Sequence, residues 1–125
     1  MRNKKEEQLQ KVIFQYINLF KKSKGIYYPH SIPNGMYLGQ GRNKGAYMNE
    51  MKKQGLLTGA TDIELGYRFL IYHIELKVDK GKLSESQVAV QKEIEHMQQI
   101  GYQVRHVVVR DTLDDFIEKV INDQS

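Results

Sequence analysis

The sequence predicts an α/β domain in which one mixed sheet is flanked by helices. Three observations lead there. The 125 residues suit a single core, with no repeat, linker or second unit, so residues 1–125 read as one domain. Apolar spacing switches between helical and strand periods in the order α, β, short α, β, β, α, β, α. Hydrophobic residues at 40% and charged residues at 27% describe a globular chain.

The first helix is read over residues 5–22, where Leu9, Val12, Ile13, Tyr16, Ile17 and Phe20 recur at helical spacing. Lys21, Lys22 and Lys24 suit its C-terminus before Gly25. Ile26 to Ile32 reads as a strand ended by Pro33-Asn34-Gly35. A glycine-rich stretch follows, and then a short helix from Ala46 to Gln54. Thr61–Leu65 and Phe69–Val78 read as strands joined near Gly66. Asp79-Lys80-Gly81-Lys82 reads as a turn. Ser84 with Gln87 forms a capping box opening a helix to Ile100, closed by Gly101. A valine-rich strand, Tyr102–Arg110, precedes a last helix capped by Thr112, with Leu113, Phe116, Ile117, Val120 and Ile121 inward.

Composition excludes several functions. Without cysteine there is no disulfide, thiolate zinc site or cysteine nucleophile. The longest strongly apolar run, Phe69 to Tyr72, is too short to span a membrane. The basic start is followed by Glu6 and Glu7 rather than a secretory apolar stretch. A cytoplasmic protein with no membrane partner is expected. The net charge of +4 and pI near 9.2 admit a polyanionic partner.

Within Phe69–Val78, Leu70, Tyr72, Ile74, Leu76 and Val78 share an apolar face, while Ile71, His73, Glu75 and Lys77 share the other. Polar residues on a central strand imply either a solvated face or a cleft. Asp62 and Glu64 repeat the pattern upstream. A two-residue turn at Gly66-Tyr67 would set Asp62 opposite Ile71, roughly 13 Å from Glu75 and too far to share a cation. A four-residue loop, Gly66 to Phe69, would bring the carboxylates into diagonal positions, about 7 Å apart. The four histidines show no metal-ligand spacing, although His73 with nearby acids is a minor alternative.

Four segments, Gly59-Ala60-Thr61-Asp62, Ile74-Glu75-Leu76-Lys77, Gly81-Lys82-Leu83-Ser84-Glu85-Ser86-Gln87 and Ile100-Gly101-Tyr102-Gln103-Val104, resemble in order the VRR-NUC nucleases. These are the virus-type replication-repair branch of the PD-(D/E)XK superfamily. Glu6 with Gln10, and Ile32-Pro33-Asn34-Gly35, fit the same branch. The resemblance covers nearly the whole chain and departs where Thr61 stands in place of the family's usual proline.

It implies a minimal PD-(D/E)XK, restriction-endonuclease-like fold and Mg²⁺- or Mn²⁺-dependent cleavage of DNA to a 5′-phosphate and a 3′-hydroxyl. The implied metal ligands are Asp62, Glu75, Glu6 and the Leu76 carbonyl, with Glu7 as substitute for Glu6. Lys77 would position water and stabilise charge on the phosphate, and Gln87 would orient the water or the lysine. Capping explains Gln87 equally, and one residue would not easily do both. Relatives of this size imply a homodimer acting on branched DNA such as four-way (Holliday) junctions, in DNA repair, in a bacterial or virus-infected host cell.

From the residues themselves, Arg42, Lys44, Lys52 and Lys53 are candidates for phosphate contacts, and Asn34 for a phosphate or a water. Tyr27, Tyr28, Tyr37 and Tyr47 are candidates for stacking on unpaired bases or for core and rim positions. Two rival readings stand beside the branched-DNA nuclease: a non-catalytic nucleic-acid-binding module, and a nuclease preferring flaps, nicked duplex or RNA.

Overall fold

The Asn3 side chain accepts from the Lys5 N–H at 2.7 Å and so starts helix α1 (Lys4–Lys24). Gly25, with φ of 74°, ends it in the left-handed conformation that glycine adopts without strain. The computed structural model describes residues 3–32 and 44–124. In chain order they continue with β1 (Ile26–Ser31), α2 (Lys44–Lys53), β2 (Ile63–Tyr67), β3 (Leu70–Lys77), α3 (Glu85–Gln99), β4 (Val104–Arg110) and α4 (Leu113–Phe116). The last helix widens into a π-helical segment over Ile117–Ile121, where the Asn122 N–H reaches the Ile117 carbonyl at 2.8 Å. Among the described residues this is the expected mixed α/β architecture. The segment carrying Pro33-Asn34-Gly35 and Arg42 lies outside them.

The sheet order is β1-β2-β3-β4, with β1–β2 and β2–β3 antiparallel and β3–β4 parallel. The parallel pair needs a crossover, and α3 supplies it. One sheet face presents Ile63, Leu65, Tyr72, Ile74, Leu76 and Val109 to Leu9, Ile13 and Ile17 of α1 and to Phe116 and Val120. All of these are buried. The buried stripe of α1 is narrower than its sequence suggests, since Val12 and Phe20 are each 38% exposed. On the opposite face Val90 and Ile94 of α3 cover Val104, while the rest of that face carries the polar residues of β2 and β3.

The β2–β3 hairpin differs from both geometries expected for it. Gly66 lies inside β2 opposite Ile71, and the turn is Arg68-Phe69, with φ of 53° and 66°. Two consecutive positive φ values describe a type I′ turn, whose twist matches that of the flanking strands. Glycine at 66 suggests a turn there, yet its backbone stays extended. The non-glycine pair two residues later takes the left-handed conformation instead. Tyr67 then pairs with Leu70 and Ile63 with Ile74. The ladder ends at that pair; Asp62, one residue earlier, donates its N–H to the Ile74 carbonyl at 2.9 Å, and its carboxylate reaches past Glu75 to the Leu76 N–H.

Candidate active site

Asp62 precedes β2 and is held on three sides. Its N–H donates to the Ile74 carbonyl at 2.9 Å, its carbonyl accepts from the Ile32 N–H at 2.9 Å, and its Oδ2 accepts from the Leu76 N–H at 2.8 Å. The side chain thus takes up a backbone donor of β3 that the end of the strand ladder leaves without a backbone partner. Asp62 is 4% exposed and Glu75 is 2% exposed. Buried carboxylates side by side are costly unless something compensates their charge.

Gln87 provides part of that compensation. Its Nε2 donates to Glu75 Oε2 at 3.2 Å, while its Oε1 accepts from the Ser84 N–H at 2.9 Å. Its own N–H donates to Ser84 Oγ at 3.2 Å, which completes the capping box. Capping and contact with the carboxylates are therefore not exclusive. The two ends of one amide serve them separately.

Gly59 explains how the loop reaches this helix start. A Cβ at Gly59 would stand 2.5 Å from the Ser86 carbonyl carbon and oxygen and 2.9 Å from the Gln87 nitrogen, and φ there is 88°. The loop backbone lies against the first turn of α3 with no room for a side chain. Asp62 and Gln87 are brought to the same place by that contact.

Glu75 Oε1 is buried without a hydrogen-bond partner. Burial, then the Asp62 charge and its hydrogen bond, push the Glu75 carboxyl up to about 9. The Lys77 ammonium opposes this, and the Glu6 carboxylate adds to it more weakly. Glu6, half-buried in the first turn of α1, is the acid of that helix whose charge reaches the pair, while Glu7 is exposed. Gln10, one turn further, has a buried unpartnered Oε1.

A divalent cation suits this donor set. Two oxygen-only side chains face each other, one buried oxygen lacks a partner, and the carboxyl that holds a proton would exchange it for a metal charge. The Leu76 carbonyl projects from the same strand edge as its N–H, toward Asp62. Among the described residues no three His, Asp or Glu side chains converge closely enough to cage an ion. Glu6 is thus set further back than Asp62 and Glu75. Two carboxylates of this kind could hold a hard divalent cation, with water and a substrate phosphate completing its shell.

Lys77 follows Glu75 on the same sheet face and is half-buried, its stem resting over Gly81. A Cβ at Gly81 would lie 3.5 Å from Lys77 Cδ. Lys52 and Lys53 are exposed in the last turn of α2. Lys44 is the first residue of α2. Asn34 and Arg42 fall outside the described residues.

The next rung of the sheet was not singled out by sequence reasoning as a unit. His30, Glu64, His73 and His106 face one another across all four strands, two residues along from Asp62 and Glu75. His73 Nδ1 lies 3.6 Å from Glu64 Oε1. Burial lowers the pKa of both His73 and His106; Glu64 partly offsets this at His73, and the neighbouring His73 adds to it at His106. Alternation on β3 signals His73 in the sequence, but the row itself depends on a parallel pairing that periodicity does not reveal.

The fold and the site together define a small α/β domain with paired buried carboxylates and a lysine at the end of a mixed sheet. A solved structure described as a "VRR_NUC domain protein" has this fold: it superposes with a TM-score of 0.61, at 19% identity, over 98% of this chain and 89% of that one. The resemblance seen in the sequence motifs therefore extends to the arrangement of the elements. No family model matches the chain, and no curated protein matches it either.

Proposed function

We propose that the chain is a divalent-metal-dependent endonuclease that hydrolyses phosphodiester bonds in DNA, with branched DNA such as four-way junctions as its substrate. The observation that carries this reading is the neighbouring pair of buried carboxylates, Asp62 and Glu75, with Lys77 two residues on and Gln87 donating to Glu75. A bound Mg²⁺ or Mn²⁺ would polarise the scissile phosphate and make water a better nucleophile.

The chain's own groups do the rest. Asp62 is aimed by the Leu76 N–H, and Glu75 is held by the Gln87 amide. Glu6, whose charge reaches Glu75, would hold the metal or a water bound to it. The Lys77 ammonium orients the attacking water and offsets charge growing on the phosphate. Attack forms the new P–O bond and breaks the P–O3′ bond; the departing oxygen takes up a proton, leaving a 3′-hydroxyl and a 5′-phosphate. Lys44, Lys52, Lys53 and Arg42 are assigned to phosphates beside the cut site, and Asn34 to a phosphate or a water. A homodimer would place two such sites for paired incisions, in a cytoplasmic repair role.

The test is cleavage of labelled four-way junction, flap, nicked duplex, linear duplex and RNA, with Mg²⁺ or Mn²⁺ and with chelator. Cutting of the junction is expected, abolished by chelator and reduced at least ~100-fold in Lys77→Ala with binding retained. Binding without cutting under every condition would make the chain a non-catalytic binding module. Preference for another member of the panel would replace the junction assignment.

A further inference from the structure

The polar sheet face does not end at the carboxylates. Two rungs away, Tyr27 of β1, Gly66 of β2 and Ile71 of β3 stand side by side in register. Gly66 leaves the middle of this row without a side chain. A Cβ there would lie 3.7 Å from Tyr27 Cβ and 3.6 Å from Ile71 Cδ1, so the two side chains flank a shallow floor. Tyr27 is 74% exposed and Phe69, at the hairpin tip, is 96% exposed. A bulky aromatic residue at φ of 66° is a strained choice for a turn that Asn-Gly would fill without cost.

The groove at this end has a volume of about 610 Å³, and its lining includes Lys24 and Arg68 but no acid. Exposed aromatic faces in a groove edged by two cations, Lys24 over the Phe20 ring and Arg68 over the Tyr67 ring, with no carboxylate in the lining, complement a nucleobase attached to phosphate rather than an acidic or purely apolar partner. We propose that Tyr27, Ile71 and Phe69, with Lys24 and Arg68, form a stacking subsite for unpaired bases of the strand cut at Asp62–Glu75. This rests on the nuclease reading for its link to the cut site. Four residues along β3 separate Ile71 from Glu75, roughly 13 Å. That is about four nucleotides of a stacked strand, and fewer where the strand is stretched. A flap, or a junction whose strand is opened at the branch point beside the scissile phosphate, fills both places, whereas an intact duplex keeps its bases stacked on each other.

The experiment measures binding of fluorescein-labelled single-stranded DNA and of the matching duplex in chelator, where nothing is cut. Tyr27→Ala and Phe69→Ala are expected to weaken single-strand binding about 5- to 100-fold and duplex binding less than about twofold. Tyr27→Phe keeps the ring and should stay near wild type, as should Leu19→Ala, a change at another exposed position, on α1. Unchanged single-strand affinity, or equal losses on both DNAs, overturns the subsite. So does sedimentation showing that the alanine variants convert a dimer to monomer in step with lost binding. If the selective loss is found but no substrate is cut in Mg²⁺, the nuclease reading fails and the subsite stands. Cutting without the selective loss has the reverse meaning.

Discussion

At Glu75 the carboxyl sits among apolar neighbours, beside a second carboxylate, and so holds a proton well above its ordinary range. The unfolded chain releases that proton near 4.5, while the metal-free folded chain releases it at about 9. Between those values the folded state binds the extra proton, so stability falls as pH rises through the window, by at most about 1.4 kcal/mol per unit. The histidines act oppositely at lower pH: depressed pKa values at His73 and His106 make stability rise as pH climbs toward 6.5. The difference between wild type and Glu75→Gln isolates the carboxyl. In chelator, wild type is expected to lose thermal stability from pH 6 to pH 8 relative to that variant, and Mg²⁺ should restore it to wild type alone. Parallel pH profiles would mean that Glu75 is already ionised in the metal-free fold. Gln87 offers a second test at this scale, because Gln87→Glu preserves the capping box and suits the positive end of α3. Its melting point in chelator should fall, since a third carboxylate replaces the amide donor to Glu75, and cleavage should drop about 10- to 100-fold, as for other residues that support a metal ligand. Undiminished cleavage would leave Gln87 a cap and nothing more.

Between elements, the contact of Gly59 with the start of α3 ties the acidic loop to the helix. Gly59→Ala would force a Cβ into the Ser86 carbonyl in a backbone conformation that alanine adopts poorly. Urea unfolding should show a loss of about 2–4 kcal/mol, with weaker cleavage as Asp62 moves from Gln87. A loss below about 0.5 kcal/mol would mean that the loop can retreat freely. This contact was not legible in the sequence, because a glycine's neighbours across space leave no local pattern. The hairpin was misleading for a different reason: Gly66 carries the usual turn signal, while Arg68-Phe69 carries none, and the turn forms at the second pair. The opening of α3 was legible, since Ser84 and Gln87 satisfy each other's backbone within one helical turn. What the spacing lacked was the free end of the Gln87 amide, which finds its partner on β3.

For the whole molecule, period and composition led to the α/β class, and ordered motifs led to the carboxylate pair. The layering, with α1 and α4 on one face and α3 on the other, came only with the packing of the helices. The row His30–Glu64–His73–His106 and the platform at Tyr27 and Ile71 emerged only with strand order, because each draws its members from different strands. Among the described residues no helix is long and apolar enough to cross a membrane. One feature of β1 also bears on how two copies could associate. It lies at the margin of the described sheet, contains Pro29, and carries an irregularity between Tyr27 and His30 that puts Tyr28 at φ of 52°. A strand without one amide hydrogen and with a break in its ladder is a poor template for another chain. Continuation of the sheet from copy to copy is blocked on that side, as polymerising edges require an unbroken ladder. Among the described strands that leaves β4 as the margin with an unbroken ladder, so a sheet shared between two copies would form there and not at β1.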